Sequence, residues 1–459
     1  MTTMSDHPAI SKVTHALAAY IAETMQRELP ADVATKTRLH VLDTLAAMLS
    51  GSRLKPGELA SAYVETLGGR AEATVIGTHI VTSAVNAALA NGMMGHADET
   101  DDSHLGGLFH PGCAIVPAAL AVAERAGRGG AELIRAVALG YDVGARIAPA
   151  LGSRRSDTAS HSTHSLAALF GAAAAAAALL RLDPTQVRFV LSYTAQQASG
   201  IAFWSRDHEH IEKAFDFGGM GARNGVAAAT MVAAGFTAVD DPLRGTHNLF
   251  TALGAAPAPE KLTAELGSRY EIMHASIKKW CVGSPIQAAL DALTLLMAEH
   301  RLRADDVRRI VVDMPDDRLH IVDNRTIPDI CLQHLLAVTL ADGTLTFASA
   351  HDYARMQDPA VLALRRRIDV VPSAELTAAV PARQAIVAIE TADGRSLRQR
   401  TYAVRGTPDN PMKRTEVETK ARDLMVPVIG AERAEKLIGA VASLETLRAV
   451  TDLRSLLQA

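Results

Sequence analysis

The connector from Gly95 to Gly112 gathers the residues best suited to chemistry. It reads Gly95-His96-Ala97-Asp98-Glu99-Thr100-Asp101-Asp102-Ser103-His104, then Leu105 to Phe109, then His110-Pro111-Gly112. Four carboxylates and three histidines thus sit between two apolar, small-residue segments, Ser83 to Met94 and Ala114 to Val122. A solvated acidic loop accounts for the charges but not for such apolar walls, so a loop and a site both stand on local evidence. Pro111 suits the first turn of a helix, where its missing N–H costs nothing. That places His110 at the positive end of the helix dipole, which favours a neutral imidazole able to act as a base.

Three further polar islands break an otherwise apolar pattern. They are His161-Ser162-Thr163-His164 within the polar loop Ser156 to Ser165, the glycine-rich stretch Trp204 to Gly225 with Lys213 and Arg223, and Lys278-Lys279-Trp280-Cys281. Taken singly, these histidines cap or hydrogen-bond, the lysines are solvated, and Arg223 closes a helix start. Together they fall at helix starts and turns, where loops gather at one end of a bundle. Neutral imidazoles with ammonium groups suit proton abstraction beside a carboxylate, with lysine holding the anion. A magnesium–diphosphate motif from Asp98, Glu99, Asp101 and Asp102 needs an aromatic-lined cavity, and aromatics are only 4% of the chain. His96, His104 and His110 match no standard zinc spacing.

The elements that must position these islands are mostly helices. The 459 residues suffice for two or three domains, and alanine, leucine and valine dominate. A net charge of −4 gives no sign of a nucleic-acid surface. Cys113, Cys281 and Cys331 form no Cys-x-x-Cys pair, which fits a reducing cytoplasm and disfavours a thiolate metal site. The stretch Met1 to Ser11 lacks a signal-peptide core, and the apolar runs are too short and alanine-rich for membrane spans. Helical periodicity covers residues 14–28, 31–50, 56–67, 82–94, 112–126, 131–147, 166–180, 184–199 and 224–234. Leu166–Leu180, with Gly171 followed by seven alanines, is the core helix of the pattern. From about residue 274 the pattern mixes. Strands are expected at Arg309–Met314, Ile386–Glu390 and Thr401–Val404, the last two joined by the hairpin signal Ala392-Asp393-Gly394, with helices at residues 284–299 and 330–340. Helices resume at residues 414–424, 431–442 and 444–457. The expected fold is mainly α, with residues 274–404 forming a smaller α+β domain inserted in a helical protein.

In this order the islands resemble the MmgE/PrpD family. The resemblance is carried by Asn91-Gly92 through His96, Asp101-Asp102-Ser103 with His110-Pro111, Tyr141-Asp142-Val143, His161-Ser162-Thr163, and the Phe170-Gly171-alanine helix. Lys213 with Asn224-Gly225, Lys278 with Leu290-Asp291, Asp342-Gly343 and Asp409-Asn410-Pro411 complete it. The resemblance implies a large all-helical domain built from both chain ends, residues 1–273 and 405–459, and an α+β lid domain over residues 274–404. It also implies a homodimer, a site between the domains, no metal and no organic cofactor.

Carried over residue by residue, the family's acidic position falls on Glu99 and its threonine on Ser103. The histidine of the His-Pro pair is His110, the next histidine is His161, and the two lysines are Lys213 and Lys278. Asp98, Asp102, His104, Arg223 and His334 are then expected to contact substrate. The family's Lys-x-Tyr-Pro segment is replaced by Lys278 to Cys281, its following histidine by Gln287, and a tyrosine of the decarboxylases by His334. The expectation is a cytoplasmic, cofactor-independent lyase or isomerase on a small di- or tricarboxylate, with hydro-lyase ahead of decarboxylase and epimerase. His110 or His161 would remove the proton α to a carboxylate. Lys213 and Lys278 would bind carboxylates, and Glu99 and Ser103 would position groups. A non-catalytic carboxylate-binding relative is the alternative from another class.

Overall fold

The computed structural model describes residues 10–152 and 160–458. The expected features at Met1 to Ser11 and at the start of the Ser156 loop therefore lie partly outside the described residues. The chain is mainly helical, and it divides into two compact units. The larger comprises residues 1–97, 102–275 and 425–459; the smaller comprises residues 98–101 and 276–424. Among the described residues, no helix is long and apolar enough to cross a membrane.

Small residues set the helix spacing in the larger unit. The alanine helix Thr163–Leu179 packs on Gly130–Leu151, and the two cross where Gly140 meets Gly171. A Cβ on Gly171 would lie 2.6 Å from the Gly140 carbonyl oxygen, so any side chain there forces the backbones apart. The helices Ala84–Gly95 and Gly112–Arg125 flank the acidic connector, as their apolar character requires, and both are almost wholly buried. A π-helical turn, Phe215–Gly219, runs into the helix Met220–Ala233, which begins earlier than its apolar periodicity indicates. A Cβ on Gly92 would lie 2.8 Å from Gly218, so glycine at both positions lets this turn press against Ala84–Gly95.

The end of the chain departs from the periodicity. Residues 444–457 are expected as one helix, but they form short turns, Leu444–Thr446, Val450–Leu453 and Arg454–Leu457. The intervening backbone is drawn into pairing with another loop: Gly130 N–H donates to Leu447, and Val450 N–H to Arg128. Those bonds replace the helical ones.

The smaller unit is built on a four-stranded sheet in the order Ile368–Ser373, Val307–Pro315, Ala385–Thr391, Ser396–Thr401. Its first pair is parallel and the others are antiparallel. The helix Gln287–His300 packs on the hairpin, and Leu332–Asp342 lies in the same apolar core with Leu293, Ile310, Val312 and Val387. The hairpin turns at the expected Ala392-Asp393-Gly394, but its second strand is Ser396–Thr401 rather than Thr401–Val404. Ala385, the first residue of the partner strand, already pairs with Thr401, leaving residues 402–404 without a ladder. The helix Arg414–Ile429 gives its first part to this unit, held by Arg405 Nε to Glu416 at 3.0 Å.

Candidate active site

In the larger unit the connector folds back on itself, with His104 N–H donating to the Phe109 carbonyl at 2.9 Å. His104 is thereby committed to structure: its Nδ1 accepts from Gly107 N–H at 2.8 Å, and its Nε2 lies 3.1 Å from the Glu271 carbonyl. Burial pushes the Glu271 carboxyl up, but hydrogen bonds from His104 and Arg269 outweigh it and hold the group at about 2. Both His104 nitrogens are engaged this way, so it is not gathered with His96 and His110 as a shared ligand set.

Asp102 is the anchor beneath His110. Fully buried, it accepts from Gly112 N–H at 2.8 Å and from the Tyr141 hydroxyl at 2.6 Å, and lies 2.6 Å from His40 Nδ1. Burial drives the His40 imidazole down to about 4 against the pull of Asp102, so it is neutral and donates from Nδ1. Since Gly112 is the first residue of the helix and Pro111 its cap, Asp102 fixes the backbone that carries His110. Tyr141 thus faces Asp102, while its neighbour Asp142 accepts from the Tyr20 hydroxyl at 2.6 Å and from Glu271 N–H at 2.5 Å.

His110 belongs to a set of four imidazoles built round Phe217. His96 stacks on Phe217 at 4.4 Å between ring centroids, and His164 stacks on it at 3.8 Å. His110 lies 4.9 Å from His96 and 5.4 Å from His164, and His210 lies 5.1 Å from His96. Lys213 places its ammonium 5.2 Å from the Phe217 ring and 5.5 Å from that of Trp204, a cation–π arrangement. The π-turn and the glycines behind it bring Phe217 to this position.

The loop carrying His161 reaches the same region, since the Thr163 hydroxyl donates to the Leu108 carbonyl at 2.9 Å. His161 itself is half-buried and bridges to Ile201, while the imidazole packed beside His110 is that of His164. Below the loop, the Ser162 hydroxyl donates to Asp216. Burial pushes the Asp216 carboxyl up to about 6, against hydrogen bonds from Ser162 and Ser165. Arg223 turns to Asn224, at 2.9 Å, and over the Phe215 ring. Ser103 is buried in the connector.

In the smaller unit Lys278 is buried. Its Nζ donates to the Glu99 carbonyl at 2.6 Å and lies 3.7 Å and 3.6 Å from the carboxylates of Glu99 and Asp101. Lys279 separates from it, with Nζ 4.3 Å from the Trp280 ring and 3.6 Å from Asp291. Gln287 braces the turn that follows them, donating to the Trp280 carbonyl at 2.8 Å and accepting from Trp280 N–H at 3.1 Å. Asp98 accepts from Thr100 N–H and hydroxyl at 2.9 and 2.6 Å and pairs with His351 at 2.8 Å. His334 is fully buried in Leu332–Asp342, both ring nitrogens without a hydrogen-bond partner among the described residues, and burial followed by the charges of Arg365 and Arg355 lowers it to about 4.

The geometry therefore gathers His110 and Lys213 in the larger unit, and Lys278 with Glu99 in the smaller. It adds His164, His210 and Phe217, which lie within the polar islands but are not marked there as site residues, and His351, which lies in none of them; His96, already noted in the connector, joins the set by stacking on Phe217.

Residues 15–261 match the family model for the MmgE/PrpD N-terminal domain, and residues 280–446 match that for the C-terminal domain. Among curated proteins, the chain is 27% identical to the cis-aconitate decarboxylase-like protein oryM of Aspergillus oryzae, covering 99% of each. It is 26% identical to the cis-aconitate decarboxylase of Aspergillus terreus, over 100% of this chain and 98% of that protein. The human cis-aconitate decarboxylase is 23% identical over 98% of this chain and 95% of its own length.

Proposed function

This chain belongs to the MmgE/PrpD family, and from that premise we propose that it is a cofactor-independent lyase or isomerase acting on a small di- or tricarboxylate. The observation that carries the reading is the imidazole set round Phe217 with the Lys213 ammonium on the same ring. Imidazole suits proton transfer near neutral pH, and an ammonium group suits holding an anionic substrate. In this reading His110 or one of its partner imidazoles takes the proton from the carbon α to a carboxylate. The electron pair left behind spreads into that carboxylate as an enolate-like anion, which Lys213 stabilises. In the smaller unit Lys278 is a second ammonium of the kind that binds a carboxylate, with Glu99 and Asp101 holding it in place.

The fate of the neighbouring carbon sets the product. Hydroxide leaving with a proton from an imidazolium gives dehydration. Proton return to the opposite face gives epimerisation. In decarboxylation the order differs: carbon dioxide leaves with its bond electrons on the substrate, and an imidazolium protonates the resulting carbanion. The sequence alone puts dehydration first. The names of the relatives favour decarboxylation, so cis-aconitate is the first substrate to assay. The test is a panel of di- and tricarboxylates followed by proton NMR in deuterated water. Solvent deuterium on carbon in product or recovered substrate supports the reading, and tight binding without exchange or turnover supports a passive carboxylate-binding protein instead.

A further inference from the structure

Residues 98–101 are the part of the connector that groups with the smaller unit, although the chain on either side of them belongs to the larger one. Three cationic side chains of the smaller unit hold this strap, one at each of its first three residues. His351 Nε2 pairs with Asp98 Oδ2 at 2.8 Å, Lys278 Nζ takes the Glu99 carbonyl at 2.6 Å, and Lys420 Nζ takes the Thr100 carbonyl at 2.9 Å. Both lysines are buried, and His351 is 13% exposed at its side chain. Asp98 in turn accepts from the N–H and hydroxyl of Thr100, so the His351 pair fixes the turn that presents Glu99 and Asp101 to Lys278.

We propose that His351 is a positioning residue, whose charged pairing with Asp98 locks the strap and so sets the pose of Glu99 and Asp101 round Lys278. This rests on the polycarboxylate reading only for its consequence in turnover; the lock itself is a property of the smaller unit. The groups facing the imidazole are few. Asp98 comes from the strap, Asp329 lies 3.8 Å away on the turn Pro328–Ile330, and the Phe347 carbonyl, 2.8 Å from Nδ1, comes from its own helical turn. The Phe347 ring packs at 4.2 Å, and the Tyr353 phenol is raised by burial and by the charge of Asp329. Burial works against the imidazolium, but the Asp98 carboxylate 2.8 Å away and the charge of Asp329 outweigh it and carry His351 up to about 9. Asp98 is held low in the same way, burial opposing and His351 with Thr100 prevailing. The lock is therefore closed through the neutral range and opens as pH rises through about 9.

The test is hydrogen exchange of the full chain, read by mass spectrometry on a peptide covering residues 97–104 and corrected for the intrinsic pH dependence of exchange. In the wild type, protection of this peptide is expected to fall about tenfold between pH 7 and pH 10. His351→Gln should lose that protection already at pH 7 and show no further step, while a peptide from Leu332–Asp342 exchanges as in the wild type. Asp98→Asn should do the same, and the double variant should be no worse than either alone. Wild-type protection of the strap in either single variant overturns the proposal. On a polycarboxylate that the wild type turns over, wild-type kcat should fall as pH rises through about 9, and His351→Gln should lower kcat about tenfold at neutral pH and abolish that fall. An unchanged kcat and pH profile overturn the positioning role. Exchange needs no substrate, so absence of wild-type turnover counts against the polycarboxylate reading alone.

Discussion

Replacing Asp102 with asparagine tests the anchor beneath His110. The carboxylate accepts from Gly112 N–H at 2.8 Å, Tyr141 Oη at 2.6 Å and neutral His40 Nδ1 at 2.6 Å, all at a fully buried residue. Asparagine has one acceptor oxygen and an amide that itself donates, so at least one of these donors loses its partner. Hydrogen bonds to a charged acceptor contribute about 1.5–3 kcal/mol each, and a buried donor left unsatisfied costs about 1–3 kcal/mol. The charge removed was itself buried, which returns part of its desolvation cost. The net expectation for Asp102→Asn is therefore a loss of about 3 kcal/mol, and His40→Ala, which removes one donor and leaves the acceptor, should cost less. Urea unfolding monitored by circular dichroism measures both, and the double variant should be less than additive because the two share one bond. A loss under about 1 kcal/mol for Asp102→Asn would refute the reasoning, since it would mean that the carboxylate is not the shared acceptor.

The same geometry makes further outcomes testable. Alanine at His110 should cut turnover roughly 10²-fold, the scale for losing a general acid or base; comparing His161→Ala with His164→Ala then tells which of those two takes part, and loss at neither removes that loop from the mechanism. Asp216, raised to about 6, contributes stability fully below its ordinary pKa and loses it as pH rises through about 6. Asp216→Asn should remove up to about 3 kcal/mol of that decline between pH 4 and pH 8, and an unchanged pH dependence in urea unfolding contradicts it. Turnover should survive exhaustive EDTA treatment; loss restored by one divalent ion alone would mean that the imidazoles act as ligands rather than bases.

Much of the framework is legible because it rests on local pattern. The apolar flanks of the connector, the alanine helix and the Asp393-Gly394 turn each announce themselves within a short window. Pro111 likewise locates His110 at a helix start. The site's other members are set by long-range packing. Phe217 collects His96 and His164 only because Gly92 and Gly218 allow a π-turn to approach a helix, and nothing near those residues reveals the pairing. The strand Ile368–Ser373 escapes the pattern because it is an edge strand with mixed exposure, which gives no clean alternation. The break-up of residues 444–457 depends on bonds to Arg128 and Gly130, far away in the chain. His351 and Lys420 carry no motif at all; their meaning comes from the four residues they hold.

The central claim is proton transfer by the imidazole set at the carbon α to a carboxylate, and the most direct test of it is isotope exchange. Each polycarboxylate of the panel is incubated with wild-type protein in deuterated water at neutral pH, and the carbon-bound protons are monitored by NMR. The account predicts enzyme-dependent deuterium at the carbon α to a carboxylate in at least one compound or its product, and its loss in His110→Ala. Exchange that proceeds undiminished without His110, or a panel that binds and never exchanges, would contradict it.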